Sequence, residues 1–155
     1  PGIGDESRKI YNPVQDRPEM VHTYGWYMRK YVEDARAKGV IPIICSPVPR
    51  WPKDTVKADD ADETGYVKWA EEVARQEHVA FIPLNHLVLM QYVGMTPPEI
   101  KAKYFTTHDN THASPAGARL NASELVAGLR ELKDCPLTAD LLPPEVSAIF
   151  KVSRQ

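Results

Sequence analysis

The residues best suited to chemistry fall in one short run, Thr106-Thr107-His108-Asp109-Asn110-Thr111-His112-Ala113-Ser114-Pro115. An aspartate three positions before a histidine lets the loop fold back so that the carboxylate accepts from the ring. The carboxylate then fixes the tautomer and stabilises the imidazolium, and the far ring nitrogen is left as a proton acceptor. That is the Asp–His half of a hydrolytic triad, with Asp109 orienting and His112 acting as base and then acid. Two other readings use the same residues. Asp109 and Asn110 are also ordinary turn formers. His108, Asp109 and His112 are metal-ligand types, although bringing both imidazoles to one ion needs helical spacing, and Pro115 with the Thr/Asn run argues against helix here.

These residues need elements to hold them. Ser114-Pro115 has the cap-then-proline form that starts a helix, and Ala118, Ala122, Leu125, Val126, Leu129 and Leu132 mark its inner stripe up to about residue 132. Upstream, Tyr24, Tyr27, Met28, Tyr31 and Ala35 recur with helical period, with Thr23 as cap and Gly39 as terminator, predicting a helix over 23–38. Val40-Ile41-Pro42-Ile43-Ile44-Cys45 and Val79-Ala80-Phe81-Ile82-Pro83 are continuous apolar runs, the pattern of strands covered on both faces. A helix over 64–77, with Val67, Ala70, Val73 and Ala74 inward, separates them. Helices over about 84–93 and from Pro97 to about 104 follow the second strand, the latter capped by Thr96.

Residues 1–20 are polar and aperiodic and read as loop, 21–132 carry the αβαβαα part, and 133–155 form a proline-broken tail. The alternation predicts an α/β chain in three α/β/α layers with a parallel sheet. Two strands leave unpaired ladder edges, so the chain is expected to supply the C-terminal half of a larger sheet.

Composition excludes several classes. The 155 residues carry 19 basic and 21 acidic side chains, a formal charge of -2, so no basic footprint for nucleic acid is present. No apolar run reaches the roughly 18 residues of a membrane span. Two cysteines, Cys45 and Cys135, are too few for a disulfide scaffold. They either pair or stay free. The chain opens at Pro1 without Met or a signal-like segment, the expectation for a processed, cut or partial product.

Other residues carry weaker signals. Ser46, at the carboxyl end of the first apolar strand, stands where open sheets place their sites, but Pro47 blocks a nucleophile elbow, so a site-lining or structural role is expected. Gly4-Asp5-Glu6-Ser7 lacks the buried strand a nucleophile motif follows. Arg50 and Trp51 leave the same strand end, where an arginine can meet a uronate carboxylate and a tryptophan can stack on a sugar ring; alternatively Trp51 anchors the long loop over 46–63. The acidic run over 59–63 reads as a solvated face, His22 as a helix-start or buried histidine, and His78 and His86 as structural or surface residues. The Asn121-Ala122-Ser123 sequon falls mid-helix.

The block Asp109-Asn110-Thr111-His112-Ala113-Ser114-Pro115-Ala116-Gly117-Ala118 resembles the C-terminal Asp-x-x-His block of SGNH (GDSL-like) hydrolases. Its Thr-His-x-Ser-Pro-x-Gly-Ala form is similar to the rhamnogalacturonan acetylesterase subgroup. Val21-His22-Thr23-Tyr24-Gly25-Trp26-Tyr27 and the strand ending Cys45-Ser46-Pro47 resemble the same subgroup. The resemblance covers most of residues 1–132. It implies a flavodoxin-like three-layer fold with a Ser…Asp…His order, in which a Gly-Asp-Ser block, a glycine and an asparagine all lie upstream. The expected activity is serine-dependent O-deacetylation of a pectic or other plant polysaccharide, without cofactor or metal. His112 and Asp109 are the catalytic residues carried by this chain, and Arg50 and Trp51 are candidates for substrate binding. Expected partners are the acetylated polysaccharide and the N-terminal half of the same fold, which would hold the nucleophile, so that the chain alone should be inactive. The resemblance also implies a secreted or periplasmic location. Two rivals stand beside this reading: a non-catalytic binding or assembly module with an esterase-like half fold, and a metal-dependent hydrolase built on His108, Asp109 and His112.

Overall fold

The computed structural model describes residues 2–58 and 65–143. The acidic run over 59–63, the start of the second helix at residue 64 and the end of the tail lie outside the described residues.

At the centre are two short strands, β3 (Ile43–Cys45) and β4 (Ala80–Ile82), paired in parallel with Ile44 opposite Phe81. Their side chains alternate between two helical layers. On one side Ile44 packs with Val32, Ala70, Val73 and Ala74, joined by Phe81, Val79, Tyr24 and Met28. These come from α1 (Tyr24–Ala37) and α2 (Gly65–Gln76). On the other side Ile82, with Ile43 and Cys45, packs on Leu84, Val88, Leu89, Tyr92, Ile100 and Phe105. That layer contains α3 (Leu84–Met90), α4 (Pro97–Tyr104) and α5 (Pro115–Glu131). The sandwich is the expected α/β arrangement. Ile82 is fully buried, and burying such a side chain contributes about 1.5–3 kcal/mol.

Helix ends follow the residues that mark them. Thr23 accepts from the Trp26 amide, and Gly39 takes a positive φ of 72° after α1. Thr96 and Glu99 form a capping box, the Glu99 carboxylate accepting from the Thr96 amide at 2.7 Å. Glycine decides how α5 seats: a Cβ on Gly128 would strike the Ile82 side chain.

Three expectations need correction. Residues 1–20 are not all loop. Strands β1 (Ser7–Asn12) and β2 (Arg17–His22) form an antiparallel hairpin, Ser7 facing His22. Its turn is held by Asn12, whose side-chain oxygen accepts from the Val14 and Gln15 amides at 2.9 and 3.1 Å. Both faces are largely solvated, so no apolar alternation betrays it. The inward stripe of α1 is also shifted. Val32 is buried while Tyr31 is 70% exposed and Tyr27 38% exposed, because α2 covers the sector through Tyr24, Met28 and Val32. On α5, Ala118 and Ala122 are exposed; Gly117 and Gly128 are buried, and Leu120, Leu125, Leu129 and Leu132 meet the core.

His22 stacks on Trp26, with ring centroids 3.8 Å apart. Cys45 and Cys135 are both free thiols, and burial pushes the Cys45 thiol up. Among the described residues no helix is long and apolar enough to cross a membrane.

Candidate functional site

The loop over 105–114 joins α4 to α5 and is closed like a small clasp. Phe105 and Ala113 form an isolated antiparallel bridge. The Thr106 amide donates to the His112 carbonyl at 2.9 Å, and the Ser114 amide to the Tyr104 carbonyl at 2.9 Å. Ser114 also caps α5, accepting from the Gly117 amide at 3.1 Å and donating to the Lys103 carbonyl at 2.7 Å. The two helix ends are therefore tied together, and the residues between them are forced into a tight turn.

Asp109 organises that turn. Its Oδ1 accepts from the Thr111 and His112 amides, both at 2.7 Å, and its Oδ2 meets His112 Nδ1 at 2.6 Å. The carboxylate does both jobs weighed from the sequence, turn former and histidine partner, with one oxygen for each. The amides of His112 and Thr111, then the His112 ring, hold its carboxyl well below the usual carboxylate range. An ionised partner at Nδ1 selects the tautomer that carries hydrogen there. Nε2 is left as a base, with no hydrogen-bond partner among the described residues. The His112 side chain is 78% exposed.

His108 is exposed, and among the described residues no three His, Cys, Asp or Glu side chains converge to hold a metal ion. With one Asp109 oxygen on two amides and the other on the ring, the ligand set drawn from His108, Asp109 and His112 is not assembled here.

Trp51 is brought to the site. Its main-chain amide donates to the Asn110 carbonyl at 3.0 Å, and its indole Nε1 donates to the Pro97 carbonyl at 2.8 Å. These bonds staple the segment leaving β3 to both α4 and the Asp–His turn, which is an anchoring role. Arg50, next to it, is exposed and without a partner among the described residues. Ser46 is only 2% exposed. Its hydroxyl oxygen accepts from the Asn85 amide at 2.8 Å, satisfying one of the free donors at the start of α3. Ser46 is thus structural. Ser7 opens the exposed strand β1, not the turn after a buried strand.

One participant was not singled out from the sequence. The Lys101 ammonium donates to the Asp109 carbonyl and, at 3.0 Å, to Asn110 Oδ1. It also lies 5.6 Å from the centre of the Trp51 ring. A lysine in the last turn of a helix is usually read as a partner of the helix's own carbonyl end. Its spacing of eight residues from Asp109 has no local periodicity to flag it.

No protein-family profile matches the chain. Over 145 residues, 91% of this chain and 64% of the relative, it is 27% identical to a protein of Bacillus subtilis (strain 168) named as a probable rhamnogalacturonan acetylesterase, YesY. It also superposes on the crystal structure of protein YxiM from Bacillus subtilis with a TM-score of 0.58 and 25% identity. That match covers 66% of this chain and 29% of YxiM. The chain is thus related to SGNH hydrolases and shares their α/β fold, and it spans just under two thirds of the length of the curated relative.

Proposed function

We propose that this chain supplies the Asp–His half of a serine-dependent carbohydrate O-acetylesterase acting on a pectic or other plant polysaccharide. The observation that carries the proposal is the 2.6 Å contact between Asp109 Oδ2 and His112 Nδ1 on a turn whose remaining histidine nitrogen is open. The likeness to a protein named as a probable rhamnogalacturonan acetylesterase supports the choice of ester class.

The chemistry follows from that pair. A serine hydroxyl attacks the acetyl carbonyl while His112 Nε2 takes its proton, and Asp109 stabilises the imidazolium. Hydrogen-bond donors facing the developing oxyanion contribute about 2.7–4 kcal/mol each in comparable sites. Collapse of the tetrahedral intermediate expels the sugar hydroxyl, protonated by His112. Water, with His112 again as base, releases acetate and restores the serine.

In this reading the nucleophile and oxyanion donors come from the N-terminal part of the same fold, packed against the β3–β4 pair, whose two strands are too few to stand alone. Residues 1–155 without that part do not turn over. In the same reading Arg50, exposed beside the stapled Trp51, meets a uronate carboxylate of the substrate.

The test is acetate release from an aryl acetate by the full-length protein and its His112→Ala variant. Loss of turnover in the variant is expected. Unchanged turnover removes His112 from the mechanism. Absence of turnover in the wild-type protein, across aryl and sugar acetates, favours a non-catalytic module instead.

A further inference from the structure

We infer that Lys101 is a positioning residue for the Asp109–His112 pair, acting through the Asp109 carbonyl and the Asn110 side chain and never on the substrate. The inference rests on the esterase reading only for its kinetic part.

The geometry is a grip on the acid's own carbonyl and on the residue that follows it. On one side the Lys101 ammonium takes the Asp109 carbonyl and the Asn110 side-chain oxygen. On the other, the Trp51 amide takes the Asn110 main-chain carbonyl at 3.0 Å. Two consecutive carbonyls are thereby held from two different elements, and the turn cannot roll about its own axis. The loop's own bonds do not hold this end: the amides of Thr111 and His112 and the His112 ring all end on Asp109, and the Thr106 amide fixes only the far end, at the His112 carbonyl. Without the grip, Asp109 and Asn110 can swing away from α4, which opens the Asp109 bonds to the Thr111 and His112 amides and releases the ring that aims Nε2.

The Trp51 ring backs the ammonium, adding a cation–π attraction, and Trp51 is itself held by Pro97 in the first turn of α4. Every interaction shown for the Lys101 side chain goes to the turn or to Trp51. An ammonium with three donors suits an irregular set of carbonyl oxygens better than a planar guanidinium does.

The test compares the full-length wild type with Lys101→Met and Lys101→Arg. The activity-independent readout is deuterium exchange at the Thr111 and His112 amides, whose acceptor is Asp109. In Lys101→Met these amides are expected to exchange about tenfold faster, because local opening is no longer opposed by the grip. Lys101→Arg should fall between, since it keeps the charge but not the donor geometry. For an aryl acetate, kcat should drop about tenfold in Lys101→Met with KM within about twofold, as expected when a base is displaced without loss of substrate contacts. Exchange within about twofold of wild type in folded Lys101→Met overturns the inference. Faster exchange with unchanged kcat supports the grip and counts instead against His112 as the base, which His112→Ala reports independently. If Lys101→Met does not fold, Asn110→Ala, which removes one acceptor of the ammonium and keeps the main-chain bonds, must show the same two changes in smaller measure; normal exchange there overturns the inference.

Discussion

Replacing Gly117 by alanine tests the way α5 is seated beneath the Asp–His turn. In an exposed helix the change is stabilising by about 0.8–1.0 kcal/mol, because alanine loses less backbone freedom. Here an added Cβ would lie 3.0 Å from the Tyr104 carbonyl carbon, closer still to its oxygen, and 3.2 Å from the Ala113 Cβ. Carbon contacts are comfortable at about 3.5–4.0 Å, so the first turn of α5 must retreat by roughly 1 Å. Backbone of α4 stands in the way, and it cannot swing aside as a side chain can. Overpacking of this kind costs about 1–3 kcal/mol. Because the obstacle is backbone, the cost falls in the upper part of that range, about 2–3 kcal/mol; net of the propensity gain, Gly117→Ala should lose about 1–2 kcal/mol, or about 2–8 °C in Tm for a chain of this size. The same Tyr104 carbonyl accepts from the Ser114 amide, two residues from His112, so the retreat also pulls on the base and kcat should fall. Urea unfolding should show a lower midpoint at unchanged m. Ser123→Ala, on an exposed face of the same helix, serves as control and should change stability by only a few tenths of a kcal/mol. A Gly117→Ala protein as stable as wild type or more so would refute the packing argument.

Asp109→Asn keeps an oxygen for the Thr111 and His112 amides but presents an amide to Nδ1, which reverses the tautomer; acetate release should drop about 10⁴-fold with little change in Tm. Trp51→Phe removes the donor to the Pro97 carbonyl while keeping an aromatic ring, and should lower stability by about 1 kcal/mol in denaturant unfolding. The pH prediction follows from the depressed Asp109 carboxyl: the turn's stabilisation is fully present above the ordinary value of about 4 and is lost only as pH falls through the lower folded-state value, so exchange protection of the Thr111 and His112 amides should survive at pH 4. EDTA should leave ester hydrolysis unchanged, whereas activity lost on chelation and restored by zinc would favour the metal-dependent alternative.

Much of this was legible along the chain because it is governed by short-range rules. Thr23, Thr96 and Ser114 mark helix starts through their own side-chain oxygens. The apolar runs around Ile44 and Ile82 read as covered strands from their shortness and lack of alternation, although Val40 and Ile41 at the head of the first are exposed and lie outside β3. An aspartate three residues before a histidine can reach it within one turn, here at 2.6 Å. The hairpin over 7–22 escaped because a ribbon solvated on both faces carries no alternation to read. Tyr27 and Tyr31 have helical spacing like Val32, and only the placement of α2 decides that Val32 faces inward. Ser46 and Trp51 find their hydrogen-bond partners only in the fold, Asn85 for one and Asn110 with Pro97 for the other. Lys101 is the extreme case. Its contacts join α4, the turn and the segment after β3, elements distant in sequence whose meeting depends on the packing of every helix between them.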